Sequence, residues 1–267
     1  MLTYPAFDPV ALQLGPLAIR WYGIAYVAGI LLGWRCCVWL SRKGLITISQ
    51  KHIDDFVPWA TLGIVAGGRL GEVFFYNPAY YLSHPLEILY IWQPGMSFHG
   101  GFLGVVLAGV LWVHTKKIPW ITFGDLLSVG TPIGLFFGRV ANFVNAELYG
   151  RITDAPWGMI FPHAGPFPRH PSQLYEAALE GLLLFTILFS LAKRGVAKEY
   201  PGLLLGVFVA GYGLARSFVE LFRQPDDITG FIWGEITMGQ LLSLPLIFVG
   251  GVFIWRALCH PLPPTSS

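Results

Sequence analysis

Runs of about twenty predominantly apolar residues recur along this chain, and each is long enough to cross a bilayer as a helix. Seven are read, near 17–40, 56–76, 97–114, 123–145, 173–192, 201–222 and 236–257. The expectation is an all-α fold: a polytopic integral membrane protein with seven transmembrane helices, forming a single integral-membrane domain over residues 1–267. Composition agrees, because 54% of residues are hydrophobic and 12% charged, about half the charge of a soluble domain. A net charge of +2 without any basic run gives no footing for nucleic acid. Cys36, Cys37 and Cys259 suggest neither a disulfide framework nor a zinc site. The first positive side chain is Arg20, so the N-terminus does not read as a cleaved signal peptide. No metal or cofactor is expected.

Orientation follows from Lys and Arg in the loops. Arg42, Lys43 and Lys51 follow the first span, Lys116 and Lys117 the third, and Lys193, Arg194 and Lys198 the fifth, while Arg256 ends the seventh. The loop near 77–96 has no Lys or Arg. The bias places the N-terminus outside and the C-terminus in the cytoplasm, as an odd number of spans requires. Gly63, Gly67 and Gly71 form two overlapping GxxxG steps in the second span, which predicts a close helix contact.

With this topology, the unusual polar residues gather in the outer half of the membrane. GRVANFVNAELYG, residues 138–150, brings Arg139, Asn142, Asn145 and Glu147 to the outer end of the fourth span. SFHGGFLG puts His99, Gly100 and Gly101 at the start of the third, where small neighbours leave room for a ligand. Arg69 and Glu72 end the second span, and Arg20, Trp21 and Tyr22 begin the first. In YGLARSFVELFRQPD, residues 212–226, Tyr212, Arg216, Glu220 and Arg223 fall within an arc of about 80° on one helix. A polar stripe of this kind faces a bundle interior or cavity, not lipid.

Bland readings compete. Arg216 and Glu220 could neutralise each other at i, i+4. Arg139 could pair with Glu147 or Glu72, and Arg20, Arg151 and Arg223 could snorkel to headgroups. RHPSQLYE reads as a structural entry to the fifth span, with Ser172 near its N-cap and Glu176 in its first turns. Against these stands the convergence of Arg139, Arg216 and His99 at one depth. Arginine is always charged and grips phosphate through a fork of donors, so the cluster points to a phospholipid headgroup. An anion transporter or a lipid-binding scaffold would use the same residues, although the inner half shows no matching polar track.

GRVANFVNAELYG, SFHGGFLG, RHPSQLYE and YGLARSFVELFRQPD, with WYG at 21–23 and GGRLGEVFFYN at 67–77, together resemble the bacterial prolipoprotein diacylglyceryl transferases over nearly the whole chain. The resemblance implies a seven-span enzyme of the bacterial plasma (inner) membrane, its active site toward the outer, periplasmic half. Its partners would be phosphatidylglycerol, membrane lipid, and a preprolipoprotein signal peptide carrying a lipobox cysteine. The diacylglyceryl group would pass to that cysteine as a thioether, releasing glycerol phosphate. The resemblance assigns catalysis to Arg139, Arg216, His99 and Tyr22. Substrate binding falls to Asn142, Asn145, Glu147, Gly150, Tyr212, Glu220, Arg223, Gly100 and Gly101. Glu147 and Glu220 are expected to orient the arginines, and His99 leads as the base for the thiol.

Overall fold

The computed structural model describes residues 2–5, 7–15, 17–93, 95–225, 231–233 and 236–263; Asp226, which closes the last sequence motif, lies outside them. Among the described residues the chain is mostly helical. Seven helices of 17–25 residues stand out: α1 (Trp21–Arg42), α2 (Gln50–Gly71), α3 (Phe98–Lys116), α4 (Trp120–Val144), α5 (Ser172–Lys193), α6 (Leu203–Val219) and α7 (Met238–Cys259). Of these, α1, α4, α5 and α7 are long and apolar enough to cross a membrane, and α6 is apolar but shorter. Among the described residues, strand is confined to three two-stranded ribbons, one of them the parallel pair Leu2–Thr3 with Met159–Ile160.

Hydropathy alone misplaces several helix boundaries. The first helix begins at Trp21 instead of 17, because Leu17–Arg20 pairs as a strand with Val10–Leu14. The second helix begins at Gln50, six residues before the apolar run at 56, because the Ser49 side chain accepts a hydrogen bond from the His52 N–H and starts the helix in a polar turn. The sixth ends at Val219 instead of 222. Arg223 N–H closes back on the Val219 carbonyl at 3.0 Å, and Arg223 then bridges to Gly150. Elsewhere local chemistry matches the sequence. Thr237 and Gln240 form a capping box at the start of α7. The start of α6 is capped from a distance, since both Asp125 carboxylate oxygens, on α4, accept from Gly202 N–H and Leu205 N–H at 2.7 and 2.8 Å.

Two compact units are present. Residues 48–123 form one, built on the α2–α3 pair. Here the expected GxxxG contact is found. A Cβ on Gly67 would collide with the Gly100 carbonyl, and one on Gly63 would lie 2.6 Å from the Gly104 carbonyl. The backbones therefore meet with no side chain between them. Arg69 is buried in this unit and donates to the carbonyls of Glu87, Ile88 and Gly95 at 2.6–3.1 Å, fastening the segment that joins α2 to α3. Glu72 accepts from Asn77 Nδ2 at 2.7 Å. These two charges, grouped with the polar constellation on sequence, serve the architecture of their own unit.

Residues 1–47 and 124–267 form the second unit, holding α1, nearly all of α4, and α5 to α7. Near its chain start, Tyr4 is buried against Phe143 and Phe161, and its hydroxyl meets the Phe143 and Val144 carbonyls at 2.8 and 2.7 Å. This occupies the exposed carbonyls at the end of α4.

Gly67→Val is expected to cost on the order of 3 kcal/mol through overpacking against backbone, seen as a lowered melting temperature in detergent. Gly251→Ala in α7, where nothing lies within 4 Å of an added Cβ, should leave it level or slightly raised.

Candidate active site

Three arginines of the larger unit converge on one carboxylate. Arg139 is on α4, Arg216 on α6, and Arg223 just past the end of α6. Glu176, at the start of α5, is wholly buried between them. Its Oε1 pairs with Arg216 and lies 3.1 Å from Arg223 Nη1, while Oε2 lies 3.2 Å from Arg139 Nη1. Glu180, one turn on and also wholly buried, reaches Arg139 Nη2 at 3.4 Å. Glu220 lies 2.5 Å from Arg216 Nη2 and 3.8 Å from Arg223 Nε, and its other oxygen accepts from the Thr237 hydroxyl at 2.8 Å. Three positive and three negative side chains thus face one another. Glu176 borders a π-helical stretch, Ala177–Leu183, that contains Glu180. Such π-turns recur at functional sites because they re-aim side chains within a helix.

Tyr22, Asn142 and Glu147 form a second group. The Tyr22 hydroxyl bonds to Glu147 Oε1, and Asn142 Nδ2 donates to the Tyr22 oxygen and, at 2.7 Å, to Glu147 Oε1. Asn142 stands three residues beyond Arg139 on α4, so both project from one face. The start of α5 joins the two groups. Gln173 Nε2 donates to the Glu147 carbonyl at 2.5 Å, and the Ser172 hydroxyl to the Leu148 carbonyl at 3.0 Å. Asn145 closes the last turn of α4 with its N–H on Ala141 O at 3.0 Å. Tyr212, on α6, lies in the electrostatic surroundings of Arg139, Arg216 and Glu180.

Gly150 is where three stretches of backbone meet. Its N–H donates to His170 O at 2.8 Å, and a Cβ there would collide with the Phe222 carbonyl. Arg151 completes the junction, donating to the carbonyls of Arg223 and Glu220 at 2.9 and 3.2 Å. Arg169 donates to the Gly150 carbonyl at 3.2 Å and lies over the Tyr149 ring. Burial lowers the His170 pKa, which favours a neutral ring beside the Tyr175 hydroxyl at 3.1 Å.

The structure therefore brings Arg139, Arg216, Glu220 and Arg223 into one cluster and Tyr22, Asn142 and Glu147 into another. Two expectations change. Glu147 engages Tyr22 and Asn142, and the acids that hold Arg139 are Glu176 and Glu180, residues read on sequence as structural or passed over. Their spacing of four in an apolar span was the available signal, because carboxylates there need partners. The space expected beside Gly100 is filled by the Gly67 carbonyl, and Gly101 has the Ile64 carbonyl 3.3 Å from a Cβ position. His99 belongs to the unit of residues 48–123, exposed in the first turn of α3, where Ser97 caps the helix by accepting from Gly100 N–H at 3.1 Å.

The family model for prolipoprotein diacylglyceryl transferases matches residues 9–256. The chain belongs to that family. A phosphatidylglycerol–prolipoprotein diacylglyceryl transferase of Paramagnetospirillum magneticum is 54% identical over 258 residues, 96% of each chain. One of Rhodospirillum rubrum is 50% identical over 264 residues, 98% of this chain and 96% of the relative. One of Nitrobacter winogradskyi is 51% identical over 264 residues, 96% of this chain and 90% of the relative. Members of the family so named are transferases, and the apolar helices of this chain fit a multi-pass membrane protein.

Removing the shared carboxylate leaves three arginines with too few counter-charges in a buried place. Glu176→Gln is expected to cost about 3 kcal/mol and to lower the melting temperature in detergent, while Glu199→Gln on an exposed turn should leave it nearly unchanged.

Proposed function

We propose that this chain transfers the diacylglyceryl group of phosphatidylglycerol to the lipobox cysteine of a preprolipoprotein. A thioether forms and glycerol phosphate leaves, the first step of bacterial lipoprotein maturation. The observation that carries this reading is the convergence of Arg139, Arg216 and Arg223 on Glu176, beside Asn142 and Tyr22, in a member of this family. The arrangement suits the reaction. A carbon–oxygen bond breaks at the glyceryl carbon, and negative charge grows on the departing phosphate. Fixed donors in a water-poor site stabilise that charge at little reorganisation cost. Arg139 and Arg216 hold the phosphate, and Asn142 hydrogen-bonds the headgroup. Glu176, Glu180 and Glu220 hold the guanidinium planes in place.

The nucleophile is the thiolate of the substrate cysteine. A free thiol has a pKa of about 8.5, so it needs a base or a positive field. We assign His99 as the base, since imidazole titrates near neutrality. Tyr22, tied to Glu147 and Asn142, positions the headgroup side of the site. Tyr212, Asn145 and Gly150 shape its surroundings.

In this reading all seven long helices span the inner membrane, with the N-terminus outside and the C-terminus cytoplasmic. Four of them, α1, α3, α5 and α7, carry Arg42, Lys116, Lys193 and Arg256 in their last turns. Alternate spans end on the same side, so this pattern fits the positive-inside rule. The arginine cluster would then lie toward the periplasmic half.

Purified protein given phosphatidylglycerol and a lipobox peptide is expected to release glycerol phosphate in step with a diacylglyceryl-sized gain in peptide mass. Lipid binding without release or mass gain would return the chain to a transporter or scaffold role. Arg139→Gln or Arg216→Gln should abolish transfer in a folded protein; activity retained by either would remove that arginine from the phosphate clamp. His99→Gln should lose the acidic limb of the pH–rate profile, and a limb that stays in place would exclude His99 as the base.

A further inference from the structure

Helix α7 packs on α6 backbone to backbone. A Cβ on Gly206 would lie 2.9 Å from the Gly250 carbonyl, and one on Gly213 would lie 3.0 Å from the Ser243 carbonyl. This contact fixes the register of the two helices and sets the first turn of α7 against Glu220, just past the end of α6. Glu220 and Thr237, the N-cap of α7, are both buried. The Thr237 hydroxyl is used in both senses. Its oxygen accepts from Gln240 N–H at 3.3 Å, as part of the capping box, and its proton goes to Glu220 Oε2 at 2.8 Å. Gly239, two residues on, leaves the room that the carboxylate occupies, because a Cβ there would collide with Glu220 Oε1. That same Oε1 pairs with Arg216 Nη2, while Arg216 Nη1 pairs with Glu176.

We propose that Thr237 and Gly239 are positioning residues for the phosphate site: they fix the Glu220 carboxylate and, through it, the guanidinium plane of Arg216. The last torsion of a glutamate side chain is soft. A carboxylate held by one oxygen alone turns about it, and an arginine fork follows the plane of the acid it pairs with. Thr237 holds the second oxygen, and Gly239 admits the first. Capping by itself asks for neither feature. An N-cap supplies an acceptor, which Asn or Asp offers as well, and glycine inside a helix is a poor helix former. The assignment rests on the reading of Arg216 as a phosphate ligand.

Phosphatidylglycerol is titrated into delipidated full-length protein in detergent, without acceptor peptide, and bound lipid is counted by native mass spectrometry. Transfer to a lipobox peptide is followed in parallel. Thr237→Val, which keeps the shape and loses the hydroxyl, should weaken lipid retention roughly tenfold, the scale of one charge-assisted hydrogen bond. Thr237→Ser should restore it. Gly239→Ala, which leaves the cap intact, should weaken retention to a similar degree. Gln240→Leu removes the Gln240 Oε1 bond to Thr237 N–H and leaves Glu220 untouched, so it should lower the melting temperature with retention at its starting level. In a Glu220→Gln background Thr237→Val should add little, because a residue acting through another is not additive with it. Equal loss of retention in Gln240→Leu and Thr237→Val would reduce Thr237 to a helix cap and overturn the proposal. Unchanged retention in Thr237→Val, or full additivity with Glu220→Gln, would overturn it too. Retention that depends on Thr237 in a chain that transfers nothing would count against the transferase reading alone. Transfer and retention unmoved by either substitution would count against this proposal alone.

Discussion

Much of the larger unit is arranged around the shared Glu176 carboxylate. Three guanidinium groups from α4, from α6 and from the turn after α6 meet on it. None could stay in an apolar interior alone, because a buried charge without a partner costs several kcal/mol. The acid thus fixes where the three elements come together. It also limits the arginines' freedom: a guanidinium tied to a wholly buried carboxylate cannot swing, so its remaining N–H donors are aimed before any ligand arrives. That is the property a phosphate clamp needs. Formal neutrality of the resting cluster makes it tolerable at membrane depth, and recognition then depends on directed donors more than on net charge.

The segment between α4 and α5 seats this centre with the strand Met159–Ile160 as its one named element of regular structure among the described residues. Tyr4 holds the end of α4, Gln173 and Ser172 tie the chain after it to α5, and Gly150 with Arg151 joins it to the turn after α6. Ala146 and Leu148 adopt left-handed backbone between these ties. That conformation is unfavourable for residues with a Cβ. It is held by contacts at both ends, and it sets the Glu147 carboxylate against Tyr22 and Asn142.

The sequence was most legible where one physical demand dominates. Apolar run length located the helices to within a few residues, except where capping by Ser49 extended α2 into polar sequence and where α6 stopped at Val219 to meet Gly150. The GxxxG steps named a contact that only glycine permits. Tyr212, Arg216, Glu220 and Arg223 were recognisable as a group because one face of a single helix was too polar for lipid, and Arg139 was added to Arg216 by its depth alone. The pairing among charges was not legible. Glu147 and Glu72 were the candidates for Arg139, while its partners are Glu176 and Glu180, and that choice depends on how α5 packs against α4 and α6, which no spacing along one helix encodes. Gly100 was misread for a related reason: a small residue signals close approach, but of what is decided in three dimensions.

The π-helical stretch of α5 has a further consequence. A π-turn is in effect one residue inserted into an α-helix, and an insertion rotates whatever follows by about 100°. Glu176 and Glu180 face the arginines at the start of α5, and Phe185 and Phe189 line an apolar groove after the stretch. Residues four apart drift by about 40° at each step of an uninterrupted α-helix, so a stripe at that spacing would wander off its face. Yet Glu176, Glu180, Leu184, Leu188 and Ala192, four apart throughout, are all buried. The wider turn takes up the drift, so acids and aliphatic residues share one inward face, and trimming a single residue there would turn Leu184, Leu188 and Ala192 about 100° away from the side that holds the acids.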